Sequence, residues 1–121
     1  MRALALSVAC EIHPLNNLRV LRYLTGRMGL SEQQKDIWYR HWVTLGLQAM
    51  QQQLAHDSAT GRFCHGDRVG LADVCLIPQL ANARRFKIDL SGFPTLTTIE
   101  SHCMELEAFQ AAAPAAQADA E

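Results

Sequence analysis

The sequence predicts an all-α fold, a single helical bundle of about four to five helices. Apolar residues recur every three or four positions over most of the 121 residues, as they do on one face of an amphipathic helix. No stretch alternates apolar and polar residues for long enough to indicate a strand. The length suits one domain, and 49% hydrophobic against 19% charged residues is typical of a globular protein.

The first two predicted helices are separated by glycine and serine signals. An apolar stripe runs from Leu4 to Leu21, and Gly29 beyond it suits a left-handed helix cap. Ser31 and Gln34 have the spacing of a capping box, which begins the second helix. We expect two apolar rows in this helix and both tryptophans in the core. One row is Trp38, Trp42, Leu45 and Ala49, and the other is Leu47, Met50 and Leu54.

Two further helices, and a short fifth, are predicted in the second half. The third begins near Leu71, reaches Phe86 and is kinked by Pro78, with its apolar face at Leu71, Val74, Ile77 and Leu80. Pro94 is typical of a first helical turn and begins the fourth. Residues 1–110 form the predicted domain, and residues 111–121 form an Ala-rich tail that is frayed or draped on the surface.

Charge, hydropathy and cysteine spacing exclude several classes of partner. A net charge of −1 provides no basic surface for nucleic acid or anionic membrane. No apolar run approaches the roughly 20 residues that a membrane-spanning helix needs, and the N-terminal segment turns polar too early for a signal peptide. The four cysteines are scattered without a Cys-x-x-Cys pair, so we expect reduced thiols, no metal site and a cytoplasmic protein.

Pro14 lies inside the first predicted helix, where it cannot donate a hydrogen bond to the carbonyl of Cys10 and costs about 3 kcal/mol. We expect a kink that opens the backbone beside His13 and Asn17, which lie four positions apart on one helix face. An imidazole beside an amide suits a polar ligand that carries a carboxylate. The alternative is a capped kink in a packed helix, with both side chains hydrogen-bonded within the protein.

Charged residues flank both ends of the third predicted helix. Asp73 has the position of a carboxylate that accepts amide protons at a helix start, which is a structural role, with catalysis by Asp67 or Asp73 as the alternative. Arg84 and Arg85 lie at the other end, where cations stabilise the helix dipole. The functional alternative is a guanidinium clamp for a substrate carboxylate, because arginine binds carboxylates with two hydrogen bonds.

Several motifs follow one another in a recognisable order along the chain. They are His13-Pro14-Leu15-Asn16-Asn17-Leu18, Gly66-Asp67 with Leu71-Ala72-Asp73, Pro78-Gln79, Asn82-Ala83-Arg84-Arg85-Phe86, Phe93-Pro94-Thr95 and Glu107-Ala108-Phe109. In order and spacing they resemble zeta-class glutathione transferases over nearly the whole chain. The Leu-Ala-Asp element is shared by many transferase classes, whereas the His-Pro-Leu-Asn-Asn and Asn-Ala-Arg-Arg-Phe elements together are considerably more specific. Gly70 departs from the family, which usually has a Ser or Thr helix cap there.

The resemblance implies an architecture and a reaction. Enzymes of this family have a thioredoxin-like N-terminal domain followed by a helical domain, which this chain matches, and usually form homodimers. They isomerise a cis double bond of maleylacetoacetate or maleylpyruvate, both small dicarboxylates, to trans in the catabolism of aromatic compounds. The thiolate of glutathione, the expected cofactor, adds to the alkene, rotation follows about the new single bond, and elimination releases the thiol.

The resemblance also implies binding residues in this chain, but no catalytic residue. The expected glutathione-binding residues are Glu11, Ile12, His13, Asn17, Leu18 and Arg19. Arg85 is expected to hold a substrate carboxylate and Arg19 to contact the substrate too, whereas Arg84 would point elsewhere. Arg19 follows Asn17 by two positions, about 200° around a helix, so both side chains cannot simply face one ligand. Either the long side chain of Arg19 wraps round the helix, or Arg19 serves the site of the neighbouring subunit. We expect the second, because the resemblance places this helix near the dimer axis.

The thioredoxin-like domain that activates the thiol has no counterpart in this sequence, so we expect the chain to be inactive alone. Two other functions stay open. One is a stand-alone helical interaction module descended from such an enzyme, and the other is a general glutathione transferase of the same fold. The interaction module predicts no glutathione binding even after an N-terminal domain is added. The general transferase predicts activity toward uncharged electrophiles that does not depend on Arg85.

Overall fold

The structure, a computed structural model, describes residues 1–120, so Glu121 at the end of the predicted tail lies outside the described residues. Within that range the chain forms helices and no β-strand, which confirms the all-α prediction. Its elements are α1 (Arg2–Leu6), a π-helical segment (Ser7–Ile12), α2 (His13–Asn16), α3 (Leu18–Gly26), α4 (Glu32–His56), α5 (Leu71–Arg85), α6 (Pro94–Met104), α7 (Glu107–Ala112) and a 3₁₀ turn (Pro114–Ala116).

The first predicted helix is divided at Asn17, so the prediction of one kinked helix from Leu4 to Leu21 is wrong. α1, the π-helical segment and α2 run on continuously, and the amide of His13 bonds to the carbonyl of Val8. At Asn17 the backbone becomes extended, with ψ 157°, and its Oδ1 accepts a hydrogen bond from the amide of Val20 at 3.2 Å. Asparagine favours this N-cap position, so it begins a new helix, α3.

Local capping signals in the sequence predicted the start of α4 correctly. Ser31 Oγ accepts from the amide of Gln34 at 3.1 Å, and Gln34 Oε1 accepts from the amide of Ser31 at 2.9 Å. This pair is the predicted capping box. Gly29 has φ 70°, the left-handed conformation that glycine adopts without steric cost, as expected from its place after α3.

Of the two apolar rows predicted for α4, the one formed by Leu47, Met50 and Leu54 lies in the core, and the one that begins with the tryptophans does not. The core residues of α4 are Tyr39, Val43, Leu47, Met50 and Leu54. The row that begins with the tryptophans lies beside this face, and Leu45 is 51% exposed. Trp38 and Trp42 are half-buried and pack edge to face with ring centroids 5.7 Å apart. Trp38 also donates from Nε1 to the carbonyl of Leu15 at 2.8 Å, which ties α4 to α2.

The helices of the second half follow the predicted order, but the buried face of α5 is rotated about the helix axis relative to the predicted one. Leu71 and Val74, expected in the core, are exposed, and Val74 is 54% exposed. The residues of α5 that lie in the core are Ala72, Asp73, Leu76, Ile77, Gln79, Leu80 and Ala83. α6 begins at Pro94 as predicted, and α7 is the short fifth helix. α7 ends at Ala112, two residues beyond the predicted domain boundary at 110.

Gly46 allows α4 to approach the π-helical segment closely. A Cβ built at Gly46 would lie 2.4 Å from Cγ1 and 2.7 Å from Cδ1 of Ile12, a fully buried side chain. Real Cβ atoms do not approach other carbons so closely, so a side chain here must displace Ile12.

We therefore expect Gly46→Ala to lower the free energy of unfolding by about 1–2 kcal/mol, since the strain of overpacking exceeds the roughly 1 kcal/mol gained in helix propensity. Chemical denaturation of the variant and the parent measures this difference. Gly26→Ala is the matched control, because a Cβ at Gly26, also helical, meets no atom within 4 Å. A Gly46→Ala protein as stable as the parent would contradict the close packing.

Candidate functional site

A cleft of about 520 Å³ lies where α2 and α3 face the first turns of α4 and the last turn of α5. Three cationic side chains line it, Arg22, Lys35 and Arg85, together with a single carboxylate, Glu32. Glu32 forms an ion pair with Lys35, so this carboxylate is already paired with a cation of the cleft wall. The balance of charge in the cleft favours an anionic ligand.

Arg85 has no ion-pair partner among the described residues, although the neighbouring arginine does. Arg84 donates to both carboxylate oxygens of Glu100 on α6, and this hydrogen bond raises the pKa of the Arg84 guanidinium. Successive helical residues point about 100° apart, so one arginine faces α6 and the other faces the cleft. Arg85 lies where the guanidinium-clamp hypothesis requires it, with its donors available to a ligand.

The backbone around Arg85 is held in place by α4. Tyr39 stacks on Phe86 with ring centroids 3.5 Å apart and an interplanar angle of 8°. Burial raises the pKa of the Tyr39 phenol, and the positive charge of Arg85 partly opposes this shift. Arg40 donates from Nε to the carbonyl of Phe86 at 2.9 Å. The arginine that faces the cleft therefore extends from an anchored backbone.

The end of α5 is a Schellman motif built on a lysine. Lys87 has φ 59°, the left-handed conformation, which is uncommon outside glycine and asparagine. The amide of Ile88 bonds to the carbonyl of Ala83 at 3.0 Å, and the amide of Lys87 bonds to that of Arg84 at 2.9 Å. These bonds end the helix at Arg85 and fix its last turn.

His13, Asn17 and Leu18 lie at the cleft as predicted, but the role predicted for the Asn17 side chain changes. Its Nδ2 donates to the carbonyl of Pro14 at 2.8 Å while its Oδ1 caps α3. Both ends of this carboxamide are therefore engaged within the protein, which is the alternative that the sequence left open. The ring of His13 forms no hydrogen bond with the described residues and is exposed at the cleft.

Three of the predicted site residues do not line the cleft. Ile12 is buried in the core, and Glu11 and Arg19 are exposed outside the cleft wall. On α3 the residues that face the cleft are Leu18, Leu21, Arg22 and Thr25. Arg19 follows Leu18 by one position and points about 100° away from it, whereas Arg22 lies one turn further on and shares its face. A role for Arg19 at a neighbouring subunit remains a proposal.

Asn16 is a cleft residue that sequence reasoning missed. It lines the same cleft as Arg85, is only 6% exposed, and its Nδ2 has no hydrogen-bond partner among the described residues. The sequence shows two adjacent asparagines, and periodicity does not tell which of them caps α3 and which turns inward. Arg22 was missed for a related reason, because the break at Asn17 changes which residues of α3 face the cleft.

The carboxylates at the start of α5 have structural contacts. Asp73 Oδ1 accepts from the amide of Cys64 at 2.9 Å and Oδ2 from the amide of Gly70 at 2.8 Å. Asp67 Oδ1 accepts from the amide of Arg62 at 3.1 Å. The structural interpretation of Asp73 agrees with these bonds, and neither carboxylate lines the cleft.

The thiols near Asp73 stay protonated in neutral solution. Burial raises the pKa of Cys64 far above its usual range, and the adjacent carboxylate of Asp73 raises it further. Burial is also the main reason that the pKa of Cys103 rises to about 12. Among residues 1–120 no three His, Cys, Asp or Glu side chains are grouped as a metal site would require, and no helix there has the length and hydropathy of a membrane span.

Known proteins match the chain in sequence and in fold. It is 48% identical over 120 residues to a probable maleylacetoacetate isomerase of Vibrio cholerae, covering 99% of this chain and 55% of that protein. The holo structure of a maleylpyruvate isomerase, a bacterial zeta-class glutathione S-transferase, matches with a TM-score of 0.95 at 44% identity, over 99% of this chain and 57% of that one. No family model matches.

A third match carries ligands. The maleylacetoacetate isomerase of Methylobacterium extorquens AM1, solved with bound malonate and glutathione, gives a TM-score of 0.96 at 36% identity, over 99% of this chain and 56% of that one. The chain is homologous to the C-terminal part of zeta-class glutathione transferases. It spans about half the length of the curated relatives that it matches. The family resemblance and the type of helical domain predicted from the motifs are both confirmed.

Proposed function

We propose that this chain is the substrate-binding part of a glutathione-dependent cis–trans isomerase that acts on maleylacetoacetate or maleylpyruvate. The observation that carries the proposal is Arg85, a guanidinium without an ion-pair partner among the described residues, facing a cleft lined by two more cations. Both proposed substrates are dicarboxylates, and a guanidinium binds a carboxylate with two parallel hydrogen bonds. Relatives named maleylacetoacetate and maleylpyruvate isomerase support the proposal.

The side chains at the cleft suit glutathione as well as the substrate. Glutathione is itself an anion with peptide groups, and Arg22, His13 and Asn16 provide charge and hydrogen-bonding groups along one wall. When bound, it would supply the thiolate that adds to the cis double bond. The residues of this chain bind and orient the carboxylates of both molecules, which brings the reacting atoms together and lowers the entropy cost of reaction.

The activation of the thiol is assigned to a partner domain. The proposal therefore includes a thioredoxin-like N-terminal domain that completes the cleft. It also includes a homodimer, in which Arg19 serves the neighbouring subunit, and a cytoplasmic location. The homologous proteins are nearly twice as long as this chain, which leaves room for such a domain. Four free cysteines, two of them buried, agree with a reducing compartment.

Activity measurements on the chain alone and on the chain joined to the N-terminal portion of the Vibrio cholerae relative test this function. We expect isomerisation of maleylacetoacetate or maleylpyruvate only by the joined protein and only with glutathione, because the proposal assigns thiol activation to the N-terminal domain. A joined protein that folds and binds glutathione but isomerises neither substrate would contradict the proposal, and so would turnover by the chain alone. Activity toward uncharged electrophiles that survives Arg85→Gln would instead indicate a general transferase.

A further inference from the structure

Asn16 differs from the other polar side chains of the cleft because it is buried without a partner. Its Nδ2 has lost contact with solvent and forms no hydrogen bond with the described residues. Its neighbour Asn17 uses both ends for helix capping. A buried amide without a partner lowers stability, because it has given up its hydrogen bonds to water and gained none.

The position of Asn16 relates this cost to a ligand. It ends α2, directly before the cap of α3, and lines the cleft that Arg85 faces from the end of α5. A half-turn about the bond to the carboxamide exchanges its oxygen with its nitrogen, so its –NH₂ group can face the cleft. In the cleft that Arg85 also lines, an anion would be bound by the –NH₂ group of Asn16, which donates, and not by its oxygen, which accepts.

We propose that Asn16 is a ligand-binding residue, whose carboxamide donates a hydrogen bond to an oxygen of the dicarboxylate that Arg85 holds. The inference rests on the proposed function and extends it by a specific contact. Arg85 supplies charge, and Asn16 supplies a short, uncharged donor on a buried wall. Two donors from different helices orient the anion, which a single guanidinium on one helix does less completely.

A substitution that separates stability from binding tests this role. Asn16→Leu replaces the carboxamide with an apolar group of similar size, so the parent's unpaired amide is removed. We expect the Tm to rise by about 3–6 °C, because a destabilising group is gone. We expect the affinity for maleate, a dicarboxylate probe, to fall about 10- to 100-fold, the loss of one hydrogen bond to a charged group. Thermal unfolding and NMR titration of the 121-residue chain at constant ionic strength give the two values.

Gln79 provides a matched control. It is the other amide with a buried, unpartnered nitrogen among the described residues, and it lies on α5 outside the cleft wall. Gln79→Met should raise the Tm in the same way and leave the affinity for maleate within about twofold. We therefore expect Asn16→Leu to raise the Tm and lower the affinity for maleate, and Gln79→Met to raise the Tm alone.

Each other outcome has a defined meaning. A folded Asn16→Leu chain that binds maleate like the parent would overturn the inference and leave the proposed function intact. If Asn16→Leu does not fold, Asn16→Asp is the second variant, because it keeps the size and replaces the donor with a carboxylate. This carboxylate would repel the ligand, so maleate should bind at least tenfold more weakly. Unchanged binding would overturn the inference. A parent that binds no maleate, either as the 121-residue chain or joined to the N-terminal portion of the Vibrio cholerae relative, contradicts the proposed function, and the inference with it.

Discussion

Replacing Arg85 with glutamine is expected to weaken the binding of maleate roughly 30- to 300-fold. This change corresponds to about 2–3.5 kcal/mol, the cost of removing one partner from a hydrogen-bonded charge pair. The effect should be large because Arg85 has no ion pair among the described residues, so its charge and donors are free for the ligand. NMR titration of the 121-residue chain measures it, and kcat/KM of the protein joined to an N-terminal domain should fall by a similar factor.

Arg84→Gln is the control with the same change in charge. It breaks the ion pair with Glu100 and should lower stability somewhat, but it should leave the affinity for maleate within about twofold, since Arg84 faces α6. The affinity of Arg85→Lys for maleate should lie between those of the parent and Arg85→Gln, because lysine keeps the charge but cannot form two parallel hydrogen bonds. Equal losses at both arginines would show that the general positive field of the cleft, rather than a specific clamp, binds the anion.

The parts of the fold that the sequence predicted best have local causes. The capping box of Ser31 and Gln34, the left-handed Gly29, the first turn at Pro94 and the carboxylate of Asp73 each depend on residues a few positions apart. Short motifs of this kind carry their own geometry. The prediction therefore located the starts of α4, α5 and α6 well.

The helix faces were harder to predict, because several large apolar side chains lie on the surface. Ile37, Leu45, Leu71 and Val74 are exposed large hydrophobic residues, and each lies next to a truly buried row. Helical periodicity identifies an apolar stripe but does not tell which of two adjacent stripes packs against the same chain. The exposed residues agree with the proposed partner domain and second subunit, which would cover such surface.

Some residues that the sequence nominated for the site line one cleft, and others do not. Arg85 was preferred to Arg84 from the family motif, and the structure places Arg85 at the cleft and Arg84 against Glu100. Arg19 also came from the family motif, and Arg22 was not considered. Once Asn17 begins a new helix, Leu18 and Arg22 share the face toward the cleft, and that break depends on which of two asparagines becomes the cap.

The largest loss of stability is expected for Asp73→Ala, at about 3–5 kcal/mol. Asp73 is 1% exposed, and its two oxygens accept the amides of Cys64 and Gly70, so alanine would leave one buried and one part-buried donor unpaired. Gly70 has no side chain with which to cap α5, so the Asp73 carboxylate, which accepts the amide of Gly70, is the side-chain cap at this helix start. Urea denaturation at neutral pH measures the loss.

Asp67→Ala is the matched control, because its carboxylate is exposed and accepts one amide, that of Arg62. Its cost should stay within about 1 kcal/mol. Gly70→Ser in the Asp73→Ala background should recover only part of the loss, since a hydroxyl can cap α5 but leaves the amide of Cys64 without its acceptor. If the hydroxyl restored full stability, the bond to Cys64 would contribute nothing, and Asp73 would act as a helix cap alone.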